Sequence, residues 1–205
     1  MIAGAVVLAL VAAGVLFGTD FFQKNLFGPS ETELLAEVQG ASKVGGYAAT
    51  FAEPSAAAWR LAEGHRLERF SLNDQGAVFA RLSSSKPLDA KSFDWPSLGL
   101  TWKLTQEFNN QTNGLPIEIG IVARQAATNG SNTLFVMYAT EQAGNSGWKP
   151  IQLSSSFELK TIRWTVPRIE PGGYKNPPIV VLHSDATGSG KAIEILGVYV
   201  KPVSN

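Results

Sequence analysis

The chain has 205 residues, of which 44% are hydrophobic, so it is long enough for one domain of ordinary size and an additional anchoring segment. Its 17 basic and 17 acidic residues balance, and without a cluster of Lys and Arg the charge pattern argues against nucleic acid as a partner. The lack of Cys excludes disulfides, thiolate nucleophiles and Cys-ligated metal centres.

The N-terminal end of the chain is uniformly apolar. Residues 2–17 carry no polar side chain, and Met1 and Gly18 extend the run to 18 residues. That length is near the lower limit for a helix that crosses a bilayer core of ~30 Å at ~1.5 Å per residue. A buried helix of a soluble protein would show a polar stripe, and none is present. We therefore predict a transmembrane anchor with an interfacial segment over residues 1–28.

The sequence leaves cleavage and orientation of this anchor open. Small residues such as Ala12 and Ala13 would allow cleavage as a signal peptide, although no basic residues precede the apolar run. The positive-inside rule gives almost no orientation signal, because Asp20 offsets Lys24. The remainder of the chain is rich in Gly, Ser, Asn and Thr. From that composition we expect a single-pass protein of the cytoplasmic (inner) membrane whose main domain is periplasmic or extracellular.

Residues 29–64 are predicted to connect the anchor to the main domain. Ser30 and Glu33 have the spacing of a capping box, and apolar residues follow at helical intervals, which predicts a short helix over residues 31–39. Glycine and proline further along indicate an extended linker or first strand, followed by a short helical turn. Trp59 in that turn is expected to pack inward rather than to bind a ligand.

From residue 65 the hydrophobic period changes to two, which is typical of β-strands. Turn residues separate the apolar runs, and the stretch from 109 to 114 is predicted to be a polar loop. No helical pattern of useful length lies between the runs, which disfavours a parallel sheet with crossover helices. Residues 65–205 are therefore predicted to form a mainly β domain, an antiparallel jelly-roll β-sandwich. The predicted strands lie at 67–72, 77–82, 98–105, 117–124, 134–140, 148–153, 161–166, 179–183 and 192–201.

The strands after residue 114 have a familiar order. They read GLPIEIGIVAR (114–124), LFVMYAT (134–140), GNSGWKPIQL (144–153), TIRWTVP (161–167), PIVVLHSD (178–185) and GKAIEILGVYVKP (190–202). This stretch, residues 114–202, resembles the galactose-binding-like jelly-roll domains that include many carbohydrate-binding modules. The resemblance implies binding without catalysis, to a sugar or another protein, on the loops at one end or on one sheet face. Fold alone does not identify the ligand.

The same family often carries a structural calcium held by carboxylate and backbone oxygens. The resemblance therefore makes Asp185 the first candidate ligand, because Thr187 and two glycines follow it, and Asp74 the second. The alternative is that both are ordinary turn residues. Apart from that calcium, no cofactor is expected.

The distribution of catalytic residue types favours a protein that is not an enzyme. The carboxylates are scattered over polar strand faces and turns, whereas a glycoside hydrolase needs two of them about one bond. Of the two histidines, His65 is expected to be solvated and His183 to end a buried strand. Ser184 and Asp185 follow His183 directly, and neighbouring strand residues point to opposite faces, so the three cannot form a triad.

Sugar recognition uses flat aromatic side chains beside hydrogen-bonding groups. Trp102 and Trp164 alternate with aliphatic residues and are predicted to be core. Trp95 and Tyr174 lie in apparent loops and are the better candidates for exposed contacts, whereas Trp148 follows a glycine-rich turn and is either core or edge. The candidate ligand-binding residues are Trp95, Trp148, Tyr174, Arg124 and Asn145.

Three functions are compatible with these features. The first is a non-catalytic accessory subunit of a membrane protein complex, in which the anchor packs against other subunits and the extracytoplasmic sandwich mediates protein contacts. Small residues along the apolar segment allow such close helix packing. The alternative is a membrane-tethered carbohydrate-binding module, and a second alternative is a subunit of a surface filament. The expected partners are thus membrane lipid, other membrane protein subunits and a glycan.

Overall fold

Two antiparallel β-sheets pack face to face in the computed structural model, which describes residues 28–53, 55–72, 76–89, 95–170 and 172–203. The description leaves out the side chains of Ala56, Ala57, Trp95 and Pro96. The mainly β sandwich predicted from the sequence is confirmed. The predicted anchor lies outside the described residues except for Gly28, and no helix within the described part is both long and apolar enough to span a bilayer.

Sheet A contains β1 (Tyr47–Thr50), β3 (His65–Ser71), β4 (Val78–Ser84), β6 (Pro116–Gln125), β10 (Glu158–Thr165) and β12 (Ala192–Pro202). Its strand order is β10-β6-β12-β4-β3, and β1 pairs with β12 beyond the end of β4. Sheet B contains β2 (Trp59–Leu61), β5 (Leu100–Lys103), β7 (Thr133–Thr140), β8 (Gly144–Asn145), β9 (Lys149–Gln152) and β11 (Ile179–His183). Its order is β2-β5-β11-β7-β8, and β9 also pairs with β7.

The helical elements are short. The α-helices of the described part are α1 (Glu31–Gly40) and α2 (Gln106–Gln111), and single 3-10 turns occur at Ala41–Val44, Ser55–Ala58 and Trp95–Leu98. None of them lies between two parallel strands, because every strand pair of the described sheets is antiparallel. The core therefore forms between the inner faces of the two sheets.

Strand β12 is the best-buried element of the fold, since residues 192–200 are all buried. A β-bulge between Ile195 and Gly197 changes which residues face the core, so that Ile195 and Val198 both point inward. Without the extra residue the strict alternation of a strand would turn Val198 outward. The extra residue, Leu196, packs beneath α1 on the outer face of sheet A.

Helix α1 covers part of that outer face. The predicted capping box is confirmed: Ser30 Oγ accepts the Glu33 N–H at 3.3 Å, and Glu33 Oε2 accepts the Ser30 N–H at 3.0 Å. Leu34 and Val38 are buried against the middle of β12. Each such burial stabilises the fold by roughly 1.5–3 kcal/mol, so the helix is an integral part of the domain.

The connector predicted for residues 29–64 is part of the sandwich instead. Strand β1 pairs with β12 in sheet A, and β2 pairs with β5 in sheet B. Trp59 begins β2, is 6% exposed and stacks on Phe51 with ring centroids 5.0 Å apart, which confirms that it packs inward. Strands of four and three residues are too short to show a hydrophobic period of two.

The polar loop predicted from residue 109 is wrong in its first half, because α2 extends to Gln111. Thr105 caps this helix by accepting the Phe108 N–H at 3.1 Å on Oγ1, and Phe108 is completely buried. The helix has six residues and a single apolar side chain, so its sequence carries no helical period.

Gly120 in β6 is required by the ring of Tyr199. A Cβ at position 120 would lie 2.2 Å from ring atoms of Tyr199, which stands opposite Gly120 in the β6–β12 register. The Tyr199 hydroxyl donates to Glu118 Oε1 at 3.0 Å and so holds the ring over the glycine. A residue with a Cβ does not fit beneath this ring unless the ring moves.

We expect Gly120→Ala to lower the free energy of unfolding by about 1–3 kcal/mol, because the added methyl forces the Tyr199 ring off its seat. Urea denaturation followed by tryptophan fluorescence measures this change. Gly40→Ala is the matched control, since a Cβ there meets no atom within 4 Å and the backbone φ is −60°. Equal stability of the Gly120→Ala variant and the wild type would contradict this account.

Candidate functional site

The outer face of sheet A is closed by α1 and by rows of ion pairs. Glu118 in β6 pairs with Arg163 of β10 at 3.2 Å and with Lys201 of β12 at 3.1 Å. A second row is centred on Glu194 of β12, which pairs with one Arg on each neighbouring strand. Charged side chains that already bind each other leave little flat apolar area for a sugar ring.

The outer face of sheet B has the opposite character. Strand alternation sends Leu100 and Trp102 into the core and turns Thr101 outward, beside Val181 of β11. Apolar side chains of β7 and β11 fill the middle of this face. We name it the Trp148 face, and its outward side chains are Thr101, Lys103, Phe135, Met137, Ala139, Asn145, Trp148, Ile179, Val181 and His183.

The turn between β8 and β9 sets the position of Trp148. Asn145 Oδ1 accepts the Gly147 N–H at 2.8 Å, and Gly147 has a φ of 66°, a conformation that favours glycine. Ser146 Oγ accepts the Tyr138 N–H at 3.0 Å and thereby ties the turn to β7. The Trp148 ring packs on the apolar middle of the face and stays partly exposed.

Polar groups border the apolar middle. Lys103 and Asn145 are exposed. Thr101 is 4% exposed, and its hydroxyl has no hydrogen-bond partner among the described residues. Leaving a buried hydroxyl unpaired costs about 1–3 kcal/mol. Because the hydroxyl oxygen is buried as well, a ligand on the surface does not reach it.

His183 supports the face from one end. It is 1% exposed, and its Nδ1 accepts the Asp185 N–H at 3.2 Å. The His183 ring lies 5.0 Å from the ring of His65 and 6.2 Å from that of Trp148. Burial, followed by the neighbouring His65, lowers the pKa of His183 to about 4. The imidazole is therefore neutral at pH 7.

Two buried serines join the histidines without forming a nucleophile site. Ser84 Oγ lies 2.9 Å from His65 Nδ1 and 2.9 Å from Ser184 Oγ. Both hydroxyls belong to completely buried residues, so no substrate reaches them. The expectation that His65 is solvated is wrong, because the ring is half-buried against His183.

Asp185 organises the turn that follows β11. Its carboxylate accepts the N–H groups of Thr187 at 2.9 Å, Ser189 at 2.7 Å and Lys191 at 3.1 Å, and two hydroxyls as well. Burial would raise the pKa of Asp185, but these hydrogen bonds outweigh it and hold the pKa below its ordinary range. A calcium ion would have to displace these donors from both carboxylate oxygens.

The calcium prediction stays a prediction. The described residues contain no group of three or more His, Asp or Glu side chains suited to a metal ion. Asp74, the second candidate, lies outside the described residues. The geometry around Asp185 is that of a turn residue, which was the alternative interpretation of both aspartates.

The structure separates the five predicted ligand-binding residues. Trp148 and Asn145 share the Trp148 face. Trp95 begins the 3-10 turn whose Leu98 packs on the same face, although its own side chain is outside the description. Arg124 lies on the other side of the molecule, on the outer face of sheet A.

The expectation that Tyr174 is exposed is wrong. Tyr174 is 1% exposed, its hydroxyl donates to the Pro167 carbonyl at 2.5 Å, and its N–H donates to Asn110 Oδ1 at 2.6 Å. Asn110 belongs to α2, the helix that the sequence pattern did not predict. The loop therefore folds over the end of the sandwich instead of projecting into solvent.

Apart from Trp148 and Asn145, the outward residues of the face were not predicted as site residues, and Thr101 and Phe135 are two examples. The sequence does indicate that both side chains point outward, because Thr101 alternates with Leu100 and Trp102, and Phe135 alternates with Leu134 and Val136. What the alternation does not reveal is which outward residues stay exposed: Thr101, Met137 and Val181 are buried, whereas Phe135 and Trp148 are partly exposed.

Comparison with known proteins gives a relationship of fold. No protein-family model matches the sequence, and no curated protein does either. Among solved structures, the chain is similar to the CBM22-1 xylan-binding domain from Paenibacillus barcinonensis Xyn10C, with a TM-score of 0.54, 12% identity, and coverage of 78% of this chain and 94% of that domain. The CBM22-1-CBM22-2 tandem domain from the same protein gives a TM-score of 0.54 at 13% identity, over 78% of this chain and 46% of that one. The predicted carbohydrate-binding-module-like jelly-roll fold is thereby confirmed.

We expect the free energy of unfolding to fall by about 2 kcal/mol as the pH drops from 7 to about 4.5. His183 has a pKa of 6.5 in the unfolded chain and about 4 in the folded protein, so in this pH range the unfolded state binds more protons. Glu118, Glu158 and Asp185 have lowered carboxylate pKa values and stabilise the fold at neutral pH. The stability that they contribute is lost mainly at still lower pH. Urea unfolding at a series of pH values measures the slope.

The slope in this pH window should flatten in the His183→Gln variant, which removes the titrating ring. His65→Gln serves for comparison, since burial lowers the pKa of His65 in the same direction. If His183→Gln loses stability on acidification as steeply as the wild type does, His183 is not the group responsible.

Proposed function

We propose that the protein is a non-catalytic carbohydrate-binding module whose ligand, a glycan, lies on the Trp148 face. The observation that carries this proposal is the Trp148 ring itself, which is partly exposed on an apolar sheet face and fixed by the turn that Asn145 and Gly147 form. Aromatic faces bind the apolar C–H surfaces of sugar rings, and a fixed ring loses little conformational entropy on binding.

The polar border of the face supplies what an aromatic platform lacks. Asn145 and Lys103 offer exposed hydrogen-bonding groups on either side of the apolar middle. A sugar carries hydroxyls on its rim and C–H groups on its faces. The chemistry of this face therefore complements a sugar ring.

The same face supports binding without hydrolysis. Cleavage of a glycosidic bond needs an acid and a second carboxylate on opposite sides of the bond. Among the described strand residues that point outward from sheet B, none is Asp or Glu. The nearest strand end holds Asp185, whose carboxylate is already occupied by turn donors.

The choice of glycan is guided by the similar structures. The Paenibacillus barcinonensis CBM22-1 domain is named as xylan-binding, and its likeness to this chain is one of fold. Xylan is therefore the first probe for the Trp148 face, with other neutral and acidic polysaccharides beside it.

The proposal includes a membrane tether. The predicted anchor and interfacial segment at residues 1–28 is closely followed by α1, and Leu34 of α1 is buried against sheet A. Such an arrangement would hold the sandwich close to the cytoplasmic membrane, on its periplasmic or extracellular side, with the Trp148 face on the sheet that α1 does not cover. Membrane fractionation of cells that produce the full chain tests this part of the proposal.

The accessory-subunit hypothesis and the filament hypothesis stay predictions. Both depend on how residues 1–28 pack, and those residues lie outside the described part of the chain. Purification of the full chain from membranes in mild detergent distinguishes them from the tethered module. A stoichiometric set of co-purifying membrane proteins would support the subunit, and a homopolymer would support the filament.

We expect Trp148→Ala to weaken binding to the preferred polysaccharide roughly tenfold or more, because the ring is the central contact. Isothermal titration or affinity electrophoresis of the full chain measures the affinity, in a detergent without a sugar headgroup. Leu115→Ala is the control, since Leu115 is a 45%-exposed apolar residue just before β6 of sheet A. The proposal fails if Trp148→Ala binds as the wild type does, or if no polysaccharide binds.

A further inference from the structure

A second surface of the molecule carries chemistry that the glycan-binding proposal does not use. It lies on the outer face of sheet A and is centred on Glu194, whose side chain is only 2% exposed. Arg81 of β4 donates to Glu194 Oε1 from Nη2 at 2.7 Å and from Nε at 3.2 Å. Arg124 of β6 donates to Glu194 Oε2 from Nε at 2.7 Å. One buried carboxylate thus gathers two guanidinium groups.

Aromatic rings hold both guanidinium groups in place. The Arg124 guanidinium carbon lies 4.2 Å from the Phe157 ring centroid and 5.6 Å from that of Phe79. Arg81 lies 5.3 Å from the Phe70 ring centroid. Cation–π contacts of this kind fix the planes of the guanidinium groups. The orientation of both side chains is therefore set before any ligand arrives.

The hydrogen-bonding capacity of the pair is not exhausted. Both arginine side chains are 27% exposed, whereas the carboxylate between them is buried. Among the described residues, no acceptor binds Nη1 or Nη2 of Arg124 or Nη1 of Arg81. The guanidinium groups of Arg81 and Arg124 therefore expose N–H groups to solvent, whereas the Glu194 carboxylate between them is buried.

Neighbouring charges do not neutralise these edges. Glu68 stands opposite Arg81 in the β3–β4 register, but its carboxylate binds Arg66 at 2.8 Å. Glu158, on the strand beyond Arg124, binds Lys160 and the Ser154 hydroxyl. The site therefore keeps an excess of positive charge.

We infer that Arg81 and Arg124 form a binding site for an oxyanion, a carboxylate, phosphate or sulfate group of a ligand. The outward N–H groups of the two arginines would bridge its oxygens, and the exposed ring of Phe70 would contact the group that carries it. Guanidinium forks match the planar or tetrahedral oxygens of such anions. Glu194 acts as a positioning residue that holds the two arginines together.

A purely structural role is the competing explanation. A buried ion pair is weak evidence for stability, because desolvation offsets the attraction between its charges. A structural triad also needs no exposed aromatic neighbour, whereas Phe70 is 37% exposed beside Arg81. The two explanations differ in what happens when an oxyanion is added.

The test uses the full chain and simple anions at matched ionic strength. Sodium phosphate and sodium acetate are titrated against sodium chloride, while the Nε–H signals of the arginine side chains are followed by NMR. We expect saturable shifts of the Arg81 and Arg124 signals with phosphate or acetate, and none with chloride. If the arginine signals saturate with phosphate alone, the ligand group of this site is phosphate- or sulfate-like. If they saturate with acetate, the ligand group is a carboxylate.

Variants supply the second readout. Arg124→Lys keeps the charge beside Glu194 but removes the fork, so the apparent Kd for the anion should rise about tenfold. Arg163→Lys is the matched control, because Arg163 also pairs with a glutamate on the same sheet face but is 69% exposed and shares that glutamate, Glu118, with Lys201 rather than with a second arginine. Arginine signals that respond equally to chloride, or an Arg124→Lys variant with unchanged affinity, would overturn the inference.

Discussion

The burial of β12 on both of its faces is the constraint on which the rest of this structure depends. Its inward side chains fill the core between the sheets, and its outward side chains support α1. Its edges pair with β6 along one side and with β4 and then β1 along the other. A strand that is surrounded in this way leaves its neighbours little freedom in register, because a slip by one residue would exchange the two buried faces.

That constraint also divides the molecule into two different surfaces. The outer face of sheet A is occupied by α1 and by ion pairs between neighbouring strands, such as that between Glu118 and Arg163. Within the described residues no α-helix packs along the outer face of sheet B, although the 3-10 turn at Trp95–Leu98 places Leu98 on it. The apolar middle of that face is buried, and Trp148 is partly exposed beside it. The two outer faces therefore differ in chemistry, with ion pairs on sheet A and an apolar cluster with an aromatic side chain on sheet B.

The elements that sequence reasoning found are those with a period or a cap. The long strands and the helix begun by Ser30 carry such signals, and the structure has them. Strand β2 and helix α2 were missed because each is shorter than the window in which a period can be seen, and where β1 lies the sequence left a linker or a first strand open. Their positions are set by partners distant in sequence.

The candidate site was predictable only in part, for a related reason. A turn rich in glycine marked Trp148 and Asn145, but exposure depends on what covers a residue, and that is a tertiary property. Tyr174 was expected to be exposed and is buried, because Asn110 of an unpredicted helix clamps its backbone. Arg124 was grouped with the aromatic residues by its chemistry, whereas strand order places it on the opposite sheet.

The bulge in β12 links helix α1 to the core of the sandwich through a single inserted residue. Leu196 forms the floor on which α1 rests, and Gly197 beside it leaves room for Val38, whose Cγ1 would be 3.0 Å from a Cβ at that position. Deletion of Leu196 in a related chain would remove the bulge, and with it the side chain on which α1 packs. Insertions and deletions at this point are therefore a route by which related chains would gain or lose an N-terminal helix while keeping the sandwich.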